Sequence, residues 1–461
     1  MKQEYDVIIV GGGPAGIFAA LELVKRTGKI LMIEKGKNLA ERFCPSKDKH
    51  IPCITCKPCS IVCGWGGAGA FSDGKLTLSA EVGGFLDEYL SKDRLHKMIR
   101  YVDDIYLRFG APEKVYGDDE EKITEIEKRA ILANLRMIPS RIRHLGSGRT
   151  LEILQAMKEY LEGEGVEVAL GTTCEELLVE AGEAVGVRTG RGEIYRGRYI
   201  IVGPGREGSE WLVAEGKRLG LNTKVNPVDI GVRVELPAEV LEPVTDVVYE
   251  SKFIYYSRSF EDRVRTFCMC PYGEVVTENN DGLITVNGHS HAHKKTRNTN
   301  FALLVSKNFT EPFKEPITYG RYIAGLANLL GGGVLVQRLG DLQAGRRSNP
   351  ERIKKGLVVP TLEEATPGDL SLVLPYRHLL AIMEMLEALD MIAPGVNSRN
   401  TLLYGVEVKF YSSRLNLSSN LETEIPNLFA VGDGAGVTRG LMQASISGVI
   451  VGSEIAKRLG Q

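Results

Sequence analysis

Tyr5-Asp6-Val7-Ile8-Ile9-Val10-Gly11-Gly12-Gly13-Pro14-Ala15-Gly16 is the stretch from which the rest of the chain is read. Its first six residues form the kind of short apolar run that makes a buried parallel strand. The glycines then fall as G-x-G-x-x-G, and Ile17-Phe18-Ala19-Ala20-Leu21-Glu22-Leu23 starts a helix. Lys29-Ile30-Leu31-Met32-Ile33 reads as a second strand with Glu34 at its end. In that setting Gly11 allows the tight turn, Gly13 lets the backbone approach a pyrophosphate, and Gly16 lets helix and strand pack closely. Pro14 and Ala15 begin the helix, whose free N–H groups and partial positive charge favour phosphate. Glu34 stands where an acid accepts hydrogen bonds from an adenosine ribose. The pattern predicts a bound dinucleotide.

A second pattern lies far along the chain. Asn427-Leu428-Phe429-Ala430-Val431-Gly432-Asp433-Gly434-Ala435-Gly436 reads as a strand, then Gly-Asp, then a glycine turn. Leu441 to Leu459 reads as a helix with Ala444, Ser445, Ser447 and Gly448 on its early turns. From the residues alone, Asp433 is either a ligand or a helix cap. Gly-Asp-Gly after a late strand, paired with the glycine fingerprint near the first strand, resembles the FAD-binding proteins of the glutathione-reductase-like superfamily. The resemblance implies FAD, with Gly432 and Asp433 at the ribityl chain. It also implies Gly440, Leu441 and Met442 near the carbonyl end of the flavin.

Three further runs resemble a poorly characterised family of FAD-dependent dehydrogenases, the NAD(P)/FAD-dependent oxidoreductases. They are Gly66-Gly67-Ala68-Gly69-Ala70-Phe71-Ser72-Asp73-Gly74-Lys75-Leu76, Thr266-Phe267-Cys268-Met269-Cys270-Pro271 and Val286-Asn287-Gly288-His289-Ser290. The sequence departs from that family at Tyr272, where glycine is expected, and over Glu407-Val408-Lys409-Phe410-Tyr411-Ser412-Ser413, which replaces a run richer in Arg and Ser. In related flavoproteins the segment after the second strand runs past the pyrophosphate toward the isoalloxazine. The resemblance therefore adds Lys35, Arg42, Gly67, Ala68, Val168 and Gly203 to the cofactor-binding residues.

At 461 residues the chain has room for two or three domains. A net charge of −2 offers no electrostatic case for nucleic acid or an anionic membrane. No apolar run reaches membrane-spanning length, so a cytoplasmic location is expected. The fold expected is α/β: a discontinuous Rossmann-type FAD-binding domain with a second, α+β substrate domain. Its parts are residues 1–84, a helical insertion over 85–145, residues 146–220, a substrate domain over 221–420, and a return to the FAD domain over 421–461.

Several segments position the rest. Helices are expected over residues 85–110, from Arg149 to Glu162, and from His378 to Met391. Residues 184–189 and 193–195 read as a hairpin, followed by a separate strand at Tyr199-Ile200-Ile201-Val202. Asp118-Asp119-Glu120-Glu121 reads as a solvated charge run. Gly203-Pro204-Gly205-Arg206-Glu207-Gly208 repeats G-x-G-x-x-G after a strand, but no acid-tipped second strand follows. It reads as the passage out of the FAD domain, in preference to a nicotinamide site.

Five of the eight cysteines crowd one loop: Cys44, Cys53, Cys56, Cys59 and Cys63. The last four are spaced C-x2-C-x2-C-x3-C, as in bacterial ferredoxins, so a [4Fe–4S] cluster is the leading expectation. Cys53, Cys56 and Cys59 would supply three ligands, and Cys63 or Cys44 the fourth. Gly64 stands where ferredoxins carry proline. A zinc site and a redox disulfide are the alternatives.

Cys268 and Cys270, on a strand, would share one face. With His289 they are the candidate catalytic groups; His291 and His293 would share its face, and the alternative is a polar strand surface. Arg346-Arg347 could clamp a substrate carboxylate, but reads in preference as part of a solvated loop. These residues predict an FAD-dependent oxidoreductase joining a redox donor, ferredoxin-like or NAD(P)H, to an organic substrate. The partners expected are a small-molecule substrate, the ferredoxin-like donor and further copies of the chain in a homo-oligomer. Alternatives are a flavin and iron–sulfur electron carrier without an organic substrate, and a tRNA-modifying flavoprotein.

Overall fold

The structure is a computed structural model. It describes residues 4–45, 54, 56–72, 74–224, 226–280, 282–290, 295–307, 309, 315–409 and 414–460. The chain divides into two compact units: Met1–Lys114 with Arg143–Asn226 and Ser412–Gln461, and Val115–Ile142 with Pro227–Tyr411.

In the first unit, strand β1 (Glu4–Val10), helix α1 (Pro14–Leu23) and strand β2 (Ile30–Glu34) follow the expected order. β1 pairs in parallel with β2 on one side and with Ile194–Val202 on the other, and β2 pairs in parallel with Glu167–Leu170. The last four residues of β1 and all of β2 are buried, which explains why both read as unbroken apolar runs. This is the Rossmann-type core of an α/β protein.

One expectation was too fragmented. The expected hairpin forms, but its second arm does not stop before residue 199: residues 194–202 are one strand, Ile194–Val202. Its first residues pair antiparallel with Gly186–Arg188, and its last three pair in parallel with Leu428–Ala430. Gly197 and Arg198 interrupt the apolar pattern between the two halves, so composition alone suggested a break.

Helix α1 is buried on nearly every face because the helix Leu441–Leu459 lies directly against it. A Cβ added at Gly448 would stand 2.1 Å from the Ala15 carbonyl oxygen, and one at Gly452 2.7 Å from that of Ala19. The backbones approach this closely only because glycine faces alanine.

The second unit is built, among the described residues, on an eight-stranded sheet. Its centre is Val228–Pro237, paired antiparallel with Asn298–Lys307 and with Leu402–Lys409. A ribbon of Glu274–Asn280 and Leu283–His289 accompanies it. The helix expected at His378–Met391 spans Tyr376–Asp390. The acidic run at 118–121 has a local role: Asp119 caps the helix Glu120–Leu132, its Oδ1 accepting from the Lys122 N–H at 3.1 Å. Among the described residues, no helix is long and apolar enough to cross a membrane.

His378 supplies a test of this unit. It is 2% exposed, and neither ring nitrogen has a hydrogen-bond partner among the described residues. Burial, reinforced by Lys307, lowers its pKa to about 4. An unfolded histidine protonates near 6.5, so acid favours unfolding between those two values. Stability is expected to be complete above about pH 6.5 and to fall by about 3 kcal/mol as the pH drops through 4. Urea titrations at stepped pH should show that loss in the native protein and a flatter profile in His378→Leu.

Candidate functional site

Within the first unit, a cavity of about 320 Å³ opens where β1, α1 and β2 meet. Gly11, Gly13, Pro14, Ala15, Glu34 and Lys35 line one side, and Gly67, Ala68, Gly203, Gly432, Asp433, Gly440 and Leu441 also border it. Gly11 takes φ +110°, and a Cβ there would lie 2.1 Å from the Gly203 carbonyl oxygen. Gly13, in contrast, has ordinary extended backbone, and its added Cβ would meet only Gly67 Cα at 3.9 Å.

Glu34 fastens three glycine backbones. Its Oε1 accepts from the N–H groups of Gly36 at 2.8 Å and Gly64 at 2.9 Å, and its Oε2 accepts from Gly12 at 2.8 Å. A carboxylate oxygen accepts about two hydrogen bonds, so Oε2 retains capacity for a ribose hydroxyl. Asp433 Oδ1 accepts from the Thr438 hydroxyl at 2.8 Å. Its Oδ2 accepts from the Gly440 N–H at 3.4 Å and lies 3.6 Å from Arg206 Nε. Burial raises the Asp433 pKa, with Arg206 opposing the shift.

Arg42 lies beneath the site and does not line the cavity. Its guanidinium donates to the carbonyls of Ser60 at 2.8 Å, Trp65 at 2.6 Å, Ile61 at 2.8 Å and Gly67 at 2.9 Å. Burial lowers its pKa to about 10, with Glu34 opposing the shift. One cation therefore shapes the 60–67 loop. Arg42→Ala would strand four carbonyls; a loss of about 3 kcal/mol is expected, together with loss of flavin. Urea midpoints and the visible spectrum check this, and Arg42→Lys should recover only part of either.

Val168 lies in the strand Glu167–Leu170, paired with Met32, and Gly16 and Met442 are buried on their helices. Among the described residues, no group of three or more His, Cys, Asp or Glu side chains is gathered as a metal site. Cys44, Cys56 and Cys59 are half-buried, while Cys63 is buried and borders the cavity. Cys53, His291 and His293 lie outside the described residues. The Cys63 thiol donates to Glu207 Oε2 at 2.5 Å, and Lys35 Nζ stands 3.4 Å from Glu207 Oε1. Burial, then that hydrogen bond, pushes the Cys63 thiol well above its usual range.

Cys268, Cys270 and His289 belong to the second unit. Arg346 is held by Asp341 at 2.9 Å. The sequence reading missed Glu207 as the partner of Lys35 and Cys63, and also the Arg233–Glu407 pair, both side chains of which are fully buried. The available signal for Glu207 was its place in the second glycine run. For Arg233 it was its place at the middle of a strand that alternates charged and apolar residues, Asp229, Arg233 and Glu235 among Val228, Ile230, Val232 and Val234.

Comparisons with known proteins point to FAD-dependent oxidoreductases. Residues 227–410 match the family model "FAD-dependent protein, C-terminal domain-like", and residues 5–53 match "Pyridine nucleotide-disulphide oxidoreductase". The chain is 26% identical over 485 aligned residues to an uncharacterised protein of Clostridium beijerinckii, covering 98% of this chain and 80% of that protein. It is 28% identical over 202 residues to a thioredoxin reductase of Listeria innocua, covering 43% of this chain and 50% of that protein. Among solved structures it is similar to a 3-ketosteroid-delta4-(5alpha)-dehydrogenase from Rhodococcus jostii RHA1, at 14% identity and a TM-score of 0.40, covering 98% of this chain and 97% of that one. The resemblance to FAD-dependent dehydrogenases read from the sequence is borne out by the two family matches.

Proposed function

We propose that this chain, an FAD-dependent oxidoreductase by its family matches, passes electrons between a redox donor and a small organic substrate. The donor is a ferredoxin-like protein or NAD(P)H. One observation carries the reading: a glycine-lined cavity joins the N-terminus of α1, Glu34 and Asp433 in a single unit. The residues present fit FAD. Gly13 and Gly440 leave open space where a Cβ would intrude on the cavity, and Glu34 Oε2 keeps an acceptor site.

When bound, FAD supplies hydride and single-electron chemistry. The chain's own groups orient it. The first N–H groups of α1 would hold the pyrophosphate, Glu34 would accept from the ribose, and Asp433 would accept from the ribityl hydroxyls. Buried apolar residues behind β1 and β2 exclude water from one wall. His289, Cys268 and Cys270 are proposed as the substrate-side groups that move a proton.

No step is assigned to a cluster. The spacing of Cys53, Cys56, Cys59 and Cys63 supports one, but the described thiols are not gathered and Cys63 is engaged with Glu207. Anaerobic isolation with flavin, iron and acid-labile sulfide assays tests both parts. Bound FAD without iron would retain the oxidoreductase and remove the cluster. Material free of flavin that does not take it up would overturn the reading.

A further inference from the structure

Two of the sequence runs singled out above meet around one buried guanidinium. The strand Arg263–Cys270 pairs antiparallel with Asn298–Lys307, and its register breaks between Phe267, opposite Ala302, and Cys270, opposite Asn300. Three steps on one strand face two on the other, so one extra residue bulges from the ladder. Cys268, inside the bulge, takes φ +45°. Arg233 Nη2 donates to the Cys268 carbonyl and lies 3.5 Å from Cys270 Sγ. Arg233 is fully buried, held by Asn300 at 2.8 Å and by Glu407 at 3.2 Å. Gly288 makes room for it: a Cβ at that position would stand 1.9 Å from Arg233 Nη2.

We propose that Cys268 and Cys270 are a redox-active dithiol that exchanges with low-molecular-weight disulfides. Their sulfurs are already 4.0 Å apart, against about 2 Å in the bond. The cysteines differ in access, Cys270 being buried and Cys268 half-buried. A guanidinium beside a sulfur favours the thiolate, the nucleophilic form.

The roles follow from this asymmetry. The Cys268 thiolate attacks a disulfide RSSR, forming Cys268–S–S–R and releasing RS⁻. The Cys270 thiolate then attacks Cys268 Sγ and displaces the second RS⁻. The protein dithiol loses two electrons and two protons, and RSSR becomes two RSH. Run in reverse, the same steps reduce the protein disulfide. The exchange needs no flavin, so its test stands or falls apart from flavin binding, although it engages two of the groups proposed above for the substrate side.

The test equilibrates the full-length protein in glutathione buffers of graded thiol-to-disulfide ratio, followed by acid quench, alkylation and peptide mass spectrometry. The peptide bearing both cysteines is expected to pass from doubly alkylated to an internal disulfide, two hydrogens lighter than the unalkylated dithiol peptide, and to return with dithiothreitol. Cys270→Ser is expected to trap glutathione on Cys268, and Cys268→Ser to leave Cys270 unmodified. Full alkylation of both thiols in the native protein across the whole range would overturn the proposal. So would glutathione on Cys270 alone. Because the native protein supplies the primary readout, failure of either variant to fold leaves the proposal decidable.

Discussion

Gly13→Val is expected to yield a folded protein with little or no flavin. Gly13 caps α1 with φ −84° and ψ −178°, a conformation that suits a β-branched residue. Its new Cβ would meet protein only at Gly67 Cα, 3.9 Å away, so the substitution costs the empty fold little. The added methyls instead occupy the edge of the cavity where a pyrophosphate must approach the helix N-terminus. A drop of at least about ten-fold in flavin affinity is expected, equivalent to about 1.4 kcal/mol. The urea midpoint of the flavin-free variant should match that of flavin-free native protein. A yellow Gly13→Val protein with native flavin content would show that the cofactor does not lie against α1.

Gly448→Ala tests the framework. Helix propensity alone favours alanine over glycine by about 1 kcal/mol. Packing opposes it, since the methyl would sit 2.1 Å from the Ala15 carbonyl oxygen and 2.9 Å from the Ala19 nitrogen. Both neighbours are backbone, so one helix must move. Overpacking of this kind costs about 1–3 kcal/mol or more, and a net loss of about 2 kcal/mol is expected by urea denaturation. Gly325→Ala is the control. It lies within the helix Pro316–Gly331, and its Cβ would make only an ordinary contact, 3.9 Å from Leu283 Cδ2. That change should stabilise by several tenths of a kcal/mol. Equal effects at the two positions would refute the close helix contact.

Much of the first unit could be read from the sequence because its determinants are local. Residues 5–34 carry strand, turn, helix and acid in one uninterrupted pattern. The helix Leu441–Leu459 likewise begins and ends where its composition changes. What could not be read depends on tertiary partners. The strand Ile194–Val202 changes neighbours halfway along; Gly197 and Arg198 mark the place, but nothing local tells a change of neighbour from the end of a strand. Glu207 meets Cys63 across 144 positions of sequence, beyond the reach of any spacing rule. Arg233 resembles a misplaced charge until Glu407 and Asn300 stand beside it. The bulge at Cys268 is set by pairing with a strand thirty or more residues away.

The close fit of the helix Leu441–Leu459 on α1 also bears on biosynthesis. During translation, residues 4–34 are made long before the strand Leu428–Ala430 and the helix that covers α1. A nascent chain on the ribosome therefore carries a half-built first unit, with the buried faces of α1 open to water, until residues near Gly452 clear the exit tunnel. Asp433 and Gly440 are likewise made long after Gly13 and Glu34, so flavin capture on this chain waits for them, and chaperones have that long interval in which to shield the open faces.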